Sequence, residues 1–149
     1  MINKDKVIYK ELSYEIVGVL FDVYNELGFG YQEKYYDDAV AKGLSLKQIG
    51  YERQVPYNIQ FKNNTIGKAK LDYLIEDKII LEIKVGKYFT KQSFNQVKGY
   101  LKAANKKLAI MAIFTFKGVR FIRILNENNI IKENETELDI SKLKKLFKY

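Results

Sequence analysis

The stretch LDYLIEDKIILEIKV, residues 71–85, combines the apolar pattern of buried β-strands with three charged residues, Asp72, Glu82 and Lys84. Its Glu-Asp-Lys segment at 76–78 separates two apolar runs, which predicts a three-residue hairpin loop. In such a hairpin Asp72 lies directly opposite Glu82, with Cβ atoms roughly 5 Å apart on one face of the sheet. Because strand side chains alternate, Lys84 shares that face with Glu82. The stretch therefore predicts two carboxylates and one ammonium group on a single patch.

Charges at these positions need an explanation, because facing carboxylates repel each other and burying an unpaired carboxylate is costly. One explanation is a solvated cluster in which Lys84 balances the acids. The other is a site for a divalent cation, since Mg2+ and Mn2+ prefer carboxylate and carbonyl oxygens. The Glu-x-Lys pattern alone carries little information, because Glu76 and Lys78 match it within the predicted turn. The strand placement of Glu82 and the acid at Asp72 favour a site.

The elements around this hairpin follow the predicted order α, α, β, β, β, α, β, β. The first helix has Ser13 as its N-cap and stops at Gly28; the second carries Glu33 in its first turn and ends at Gly50. The runs VPYNIQF, TIGKAKLDYLI and KIILEIKV predict a three-stranded meander. A third helix, capped by Thr90, precedes two strands, and the first of these, LAIMAIFTF, is apolar on both faces and therefore predicted to be central.

The C-terminal part is first polar and then amphipathic. The segment NENNIIKENETE predicts a loop, with a strand through its two isoleucines as the alternative. The last segment, LDISKLKKLFKY, predicts a helix that docks on the domain or on a second subunit, while contact with a membrane or a nucleic acid stays open. The length of 149 residues predicts a single domain, 1–149, with a core over about 12–125 and a C-terminal extension over 126–149.

The composition excludes several kinds of chemistry. Cysteine and histidine are absent, which excludes disulfides, Cys/His zinc sites, Ser-His-Asp triads, cysteine nucleophiles and histidine-based nucleases. The net charge of +8 favours a polyanionic partner such as nucleic acid, although lysine-rich sequences are also typical of a soluble surface. No apolar signal segment follows the first residues and no stretch approaches a membrane span, so a cytoplasmic location without a membrane partner is expected.

The hairpin and the helix after it resemble the PD-(D/E)xK nuclease superfamily. The resemblance consists of Asp72 on one strand, Glu82-x-Lys84 on the next, and Gln96 on the following helix. It extends from about residue 12 to residue 125, with the motifs in the expected order.

A second motif lies before the hairpin. The segment GYQEKYY, with Gly30, Glu33 and Tyr36, matches the GxxExxY signature that names one bacterial and archaeal branch of this superfamily. The chain departs from its relatives in one place, where Lys70 and Leu71 precede Asp72 instead of Arg-Ala. No role can therefore be carried over to an arginine there.

The resemblance implies an α/β (α+β) fold with an αβββαβ core, in which a mixed central sheet is flanked by helices. An extra N-terminal helix and a C-terminal helical tail are added to this core. By motif, Asp72 and Glu82 would hold Mg2+ or Mn2+, and Glu33 would supply a further metal-binding carboxylate. Lys84 would position or activate the attacking water, and Gln96 would complete the catalytic set. Tyr36 and Tyr100 are possible supporting residues.

The residues themselves leave alternatives open. Glu33 in the first turn of a helix is also favoured by the helix dipole. Gln96 and Tyr100 belong to a polar stripe that begins at Gln92, and such stripes are often merely solvated. Tyr36 suits the core as well as a site.

The expected function is that of a metal-dependent nuclease, such as an endonuclease, that hydrolyses phosphodiester bonds in DNA. Two alternatives remain. The chain could be a catalytically inactive nucleic-acid-binding module that keeps a nuclease-like fold, or an interaction protein that forms a homodimer through its C-terminal helix.

Overall fold

Two helices come first in the chain. In the computed structural model, which describes residues 7–126, helix α1 spans Lys10–Leu27 and helix α2 spans Glu33–Leu46. Helix α1 ends as predicted at Gly28, whose φ of 67° is the left-handed conformation that glycine adopts without strain. The link that follows is short, so the second helix packs back against the first.

Three strands then form the predicted meander: β1 (Tyr51–Phe61), β2 (Asn64–Ile75) and β3 (Ile79–Val85). The β1–β2 turn uses Lys62 and Asn63, and the β2–β3 turn uses Glu76 and Asp77, all four with positive φ. Paired left-handed residues give tight hairpins whose twist matches that of the strands.

The second half of the chain completes the sheet. Helix α3 (Lys91–Ala104) connects β3 to β4 (Leu108–Thr115), and β5 (Gly118–Leu125) follows. The strand order is β1-β2-β3-β4-β5, antiparallel except for the parallel pair β3–β4. A parallel pair needs a crossover connection, and α3 supplies it. The predicted fold of a mixed sheet flanked by helices is confirmed, as is the element order.

The sheet separates two apolar cores. The larger core lies between the sheet and helices α1 and α2, and the smaller one lies between the sheet and α3. Strand β4 contributes to both, with all eight residues buried, which confirms its interior position. Thr90 caps α3 as predicted, with its hydroxyl accepting the Ser93 N–H at 3.0 Å.

The side chains of the β1–β2 hairpin change from one face of the sheet to the other at the position where Gln54 lies opposite Asp72. Tyr73 packs in the α1/α2 core, whereas Leu71, two residues earlier, packs in the α3 core, although both would share a face in a regular strand. Gln54 has a φ of 52°, and the strand pairing omits it and Asp72. Beyond this point the hairpin continues as a two-stranded segment, residues 54–71, called here the β1–β2 arm.

The sequence prediction for the start of helix α1 was wrong. The helix begins at Lys10, after Tyr9 in the left-handed conformation, and Ser13 is a buried residue inside it. A small hydroxyl residue fits a buried helical turn as well as an N-cap, and the local sequence does not distinguish the two positions.

The predicted end of helix α2 was also wrong, because the helix stops at Leu46 rather than at Gly50. Gln48 adopts a φ of 59°, and the Ile49 N–H then donates to the Leu44 carbonyl at 3.0 Å. This turn buries the Ile49 side chain against the core. The sequence did not predict the turn, because its left-handed residue is a glutamine and not the usual glycine.

Apart from its first residue, Asn126, the predicted C-terminal extension, with its possible strand and its amphipathic helix, lies outside the described residues. Within residues 7–126, no helix combines the length and apolar character that a membrane crossing requires.

Helices α1 and α2 make a close contact at Gly43. A Cβ at this position would lie 2.6 Å from Val19 Cγ1, so in a Gly43→Ala variant either the Val19 side chain must rotate or the helices must move apart. We expect a loss of about 1–2 kcal/mol in the free energy of unfolding, because overpacking outweighs the better helix propensity of alanine. Urea unfolding measures this, and Val19→Ala should be less damaging in the Gly43→Ala background than alone. A Gly43→Ala variant as stable as the wild type would contradict the contact.

Candidate active site between the second and third strands

Asp72 on β2 and Glu82 on β3 each bind the backbone of the neighbouring strand. The Asp72 N–H donates to Glu82 Oε1 at 2.9 Å, and the Ile83 N–H donates to Asp72 Oδ2 at 3.0 Å. The regular strand pairing ends one residue earlier, at Tyr73 and Leu81. Continuing that register brings Asp72 opposite Glu82, as predicted, but the two carboxylates lie in the fork between the separating strands. The sequence had predicted that both carboxylates would project from one face of the sheet.

Glu82 is a buried acid, with only 2% of its surface exposed. Burial, and then the charge of Asp72, raise the pKa of Glu82 from an ordinary value of 4.5 to about 8. The hydrogen bond from the Asp72 N–H and the charge of Lys84 act in the opposite direction but do not cancel the effect. The protein alone therefore does not offset two negative charges in the fork, and without a cation Glu82 keeps its proton near neutral pH.

Lys84 follows Glu82 by two residues on the same strand and is half-buried. Its charge lowers the pKa of both Glu82 and Glu33, so its ammonium group lies near both acids. None of the ion pairs formed among residues 7–126 involves Lys84. Within the described part of the chain, the ammonium group therefore lies near the acids without forming a salt bridge.

Glu33 is the first residue of α2 and is exposed. Partial desolvation and the charges of Asp72 and Asp37 raise its pKa, whereas Lys84 lowers it. Glu33 therefore faces the same region as the strand residues. It does not complete a cluster, because residues 7–126 contain no group of three or more acids close enough to share a metal ion.

The other two motif residues before the hairpin shape the backbone in front of Glu33. Gly30 has a φ of 126°, a conformation closed to residues with a side chain. Tyr36 is fully buried, stacks on Phe114 with ring centroids 4.5 Å apart, and donates its hydroxyl hydrogen to the Gly28 carbonyl at 2.5 Å. Tyr36 thus fixes the loop that precedes Glu33.

Helix α3 contributes a tyrosine beside the acids and a glutamine farther out. Tyr100 is buried, and the charges of Glu82 and Asp72 add to desolvation in raising its pKa. Gln96 is exposed and lines a groove one turn away. Tyr57 on β1 is a site residue that the sequence did not predict. Its ring lies 5.1 Å from that of Tyr100, and burial, together with the charge of Glu82, raises the pKa of Tyr57. Tyr57 faces α3 because the side chains of β1 change faces at Gln54, and the sequence did not predict that change.

Arg53 on β1 is a second residue that sequence reasoning missed. One of its guanidinium nitrogens lies 2.9 Å from carboxylate oxygens of both Asp37 and Asp38 on α2. The Tyr73 hydroxyl also donates to the Asp37 carbonyl at 2.7 Å. These contacts hold the first turns of α2, and with them Glu33, against the hairpin that carries the acids. Because Arg53 is about one-third exposed, the ion pairs themselves contribute modestly to stability.

The donor set of the fork suits a hard divalent cation. Mg2+ is commonly held by one or two carboxylates, with water and substrate phosphate completing its octahedron. Asp72 and Glu82 supply two carboxylates whose mutual repulsion a cation would relieve.

The second Glu-x-Lys pattern, Glu76 to Lys78, has a structural explanation. Glu76 lies in the β2–β3 turn, and its Oε1 accepts the Gly50 N–H at 2.7 Å. Glu76 also donates its own N–H to the Gly50 carbonyl. Glu76 thus ties the β2–β3 turn to Gly50 instead of joining the pair of Asp72 and Glu82, which makes Glu76 a suitable control residue.

Comparison with known structures supports the fold. A protein described as SSO0001 matches with a TM-score of 0.52 and 17% sequence identity over 76% of this chain. The match spans 56% of that protein, so this chain corresponds to little more than half of it. An alkaline exonuclease, LHK-Exo from Laribacter hongkongensis, aligns at 8% identity with a TM-score of 0.40, covering 91% of this chain and 90% of the exonuclease.

Comparison at the level of sequence gives two results. No curated protein matches the chain significantly. The family model described as the PD-(D/E)XK nuclease superfamily matches residues 10–124, which include both helices before the hairpin, the fork and, except for the last residue of β5, the five strands. The chain belongs to the PD-(D/E)XK nuclease superfamily.

Proposed function

We propose that this protein is a divalent-metal-dependent nuclease that hydrolyses phosphodiester bonds in DNA, with its active site at the fork between β2 and β3. The observation that carries the proposal is the pair of facing carboxylates, one of them buried, beside an ammonium group that forms no ion pair with any residue of 7–126. An arrangement that costs folding energy is expected where function requires it. Membership of a nuclease superfamily gives the reaction class.

Asp72 and Glu82 are the residues that would hold the cation, and Mg2+ and Mn2+ suit their oxygen donors. Nucleases of this superfamily generally use divalent metal ions. When bound, such an ion supplies Lewis-acid stabilisation of the attacked phosphate and a water of lowered pKa. Glu82 would give up its proton to hold the cation, because its raised pKa reflects burial and the charge of Asp72. Asp72 keeps its bond from the Ile83 N–H, which fixes the carboxylate in the fork.

Lys84 would orient the attacking water or bind the negatively charged phosphate oxygens, because its charge lies beside the acids without an ion-pair partner among the described residues. Glu33 would hold a second water of the cation or accept a proton from the attacking water. Its exposure and its raised pKa suit a group that exchanges protons with solvent. Tyr100 would support the site by bordering Glu82, and Gln96 would contact the substrate from α3.

The GxxExxY branch is the assignment within the superfamily that we propose. The role of Gly30 and Tyr36 in shaping the loop before Glu33 supports it, because the three motif residues then serve a single purpose, the placement of one carboxylate.

The preference for nucleic acid, and for DNA in particular, is tested by incubating the purified protein with single-stranded, duplex and branched DNA and with RNA. Each substrate is offered with Mg2+, with Mn2+ and with EDTA. We expect cleavage of DNA that depends on the cation and stops in EDTA. Cleavage that persists in EDTA would contradict the metal-dependent mechanism, and binding of DNA without cleavage under any condition would contradict the enzyme.

A further inference from the structure

A groove of about 740 Å³ lies between the β1–β2 arm and helix α3, beside the candidate active site. Its volume is within the range of about 300–1,000 Å³ that is typical of ligand sites. Tyr57 and Tyr100, the two tyrosines next to Glu82, form the wall that the groove shares with the site. A molecule in the groove would therefore lie next to the acids.

The charged residues on the two elements that form the groove, the β1–β2 arm and α3, are all lysines. The arm, residues 54–71, contains three lysines and no acidic residue, and α3 also contains three lysines and no acidic residue. One of them, Lys102, lines the groove itself. Such a surface attracts a polyanion and repels an acidic peptide.

The remaining lining combines flat apolar surface with amide groups. Tyr57 is half-buried and meets Tyr100 edge-on at 70°, which leaves part of its ring facing the groove. Asn58, Gln60 and Gln96 bring amide groups to the groove, and within residues 7–126 none of their side chains bonds to another protein group. Aromatic faces stack on nucleobases, and amides pair with the donors and acceptors at base edges.

We propose that the groove between the β1–β2 arm and α3 binds an unpaired nucleobase of the substrate strand, next to the phosphate that is hydrolysed at the fork. The proposal rests on the proposed nuclease function and narrows its substrate class to nucleic acids with unpaired nucleotides near the cleavage point. Bases within a continuous duplex are stacked on their neighbours and cannot enter such a groove without being flipped out.

Gly99 gives a clean test, because it lies on α3 in the groove lining and an added Cβ would meet open space. A Gly99→Leu variant should fold normally and fill the groove. We expect it to weaken binding of a labelled single-stranded oligothymidine of about 15 nucleotides by about tenfold, the scale of one stacked base. Tyr57→Leu, which removes the stacking ring, should have a similar effect. Fluorescence anisotropy in EDTA measures affinity without cleavage.

Two controls separate base recognition from general effects. The first is a chain of the same length made of abasic deoxyribose phosphate, whose affinity should be equal for wild type and both variants. The second is Asn25→Leu, which adds an exposed leucine on α1 without touching the groove and should bind oligothymidine like the wild type. Undiminished oligothymidine binding by Gly99→Leu, or an equal loss for the abasic chain, would overturn the proposal. So would wild-type protein that binds duplex more tightly than single strands.

Cleavage assays keep this inference distinct from the nuclease proposal. If the wild type cleaves DNA and Gly99→Leu cleaves single-stranded and branched DNA equally well, the groove proposal fails and the nuclease stands. If the wild type never cleaves but both groove variants lose affinity only for chains that carry bases, the nuclease fails and the groove assignment stands. The same oligonucleotide made as RNA shows whether the groove distinguishes the two sugars.

Discussion

An Asp72→Asn variant should cleave DNA at least about a hundredfold more slowly than the wild type, on the scale of losing one main electrostatic group of an active site. In EDTA it should unfold at the same temperature as the wild type or higher. Asparagine keeps an oxygen that accepts the Ile83 N–H, so the backbone bond that positions residue 72 survives. Above about pH 8, where Glu82 is ionised as well as Asp72, the substitution removes one of the two charges that repel each other in the fork, which should raise the free energy of unfolding by on the order of 1 kcal/mol. Near neutral pH, where Glu82 holds its proton, the two proteins should be about equally stable.

The change in stability on addition of Mn2+ distinguishes a metal site at Asp72 from a structural role in which Asp72 balances the charge of Lys84. The wild type should be stabilised by Mn2+, because a ligand that binds only the folded state shifts the unfolding equilibrium, and Asp72→Asn should lose that response. A matched Glu76→Gln variant should behave like the wild type in both assays, since Glu76 closes a turn. If Asp72 were instead needed to balance Lys84, Asp72→Asn would melt earlier in EDTA. That result together with normal cleavage would refute the metal-site assignment.

The metal-free protein should lose stability as the pH rises, and a Glu82→Gln variant should remove most of that loss. The pKa of Glu82 in the folded protein, about 8, lies above its ordinary value of 4.5. The folded state therefore keeps a proton that the unfolded chain releases, and the stability present below about pH 4.5 is lost as the pH rises toward 8. Between about pH 5 and pH 7.5 the wild type should lose on the order of 2 kcal/mol more than Glu82→Gln.

Urea unfolding in EDTA at several pH values measures this difference. Glutamine keeps an acceptor for the Asp72 N–H, so the comparison isolates the charge. Added Mn2+ should restore the wild type at the upper end of the range and leave Glu82→Gln unchanged, because the cation replaces the proton. If the free energy of unfolding in EDTA changed with pH in the same way for both proteins, the pKa of Glu82 would be the same in the folded and unfolded states, which would contradict this prediction.

The features that sequence predicted are those with a local cause. The Glu-Asp-Lys turn fixed the hairpin register by its length alone, and that register brings Asp72 opposite Glu82. Thr90 and Gly28 acted as helix boundary residues because capping and left-handed backbone are properties of single positions. The element order followed from hydrophobic periodicity in the same way.

The features that sequence missed depend on backbone geometry that its residue types do not specify. Gln54 adopts a left-handed conformation without the glycine or asparagine that usually signals it. At that residue β1 turns over, and beyond it Tyr57 packs next to Tyr100 in the α3 core. Strict alternation of side chains along β1 and β2 fails at this point. The bond from Arg53 to α2 is also absent from any local pattern, because its partners lie in a different element.

Calorimetric titration of Mn2+ into the metal-free protein tests the central claim most directly, because it measures whether Asp72 and Glu82 hold a cation without relying on turnover. The wild type and Glu76→Gln should each bind Mn2+ at one site, with release of a proton near neutral pH from Glu82. Asp72→Asn and Glu82→Gln should show no binding at the same concentrations. Equal Mn2+ affinity in the wild type and Asp72→Asn, with both proteins folded, would contradict the assignment of the fork as the metal site.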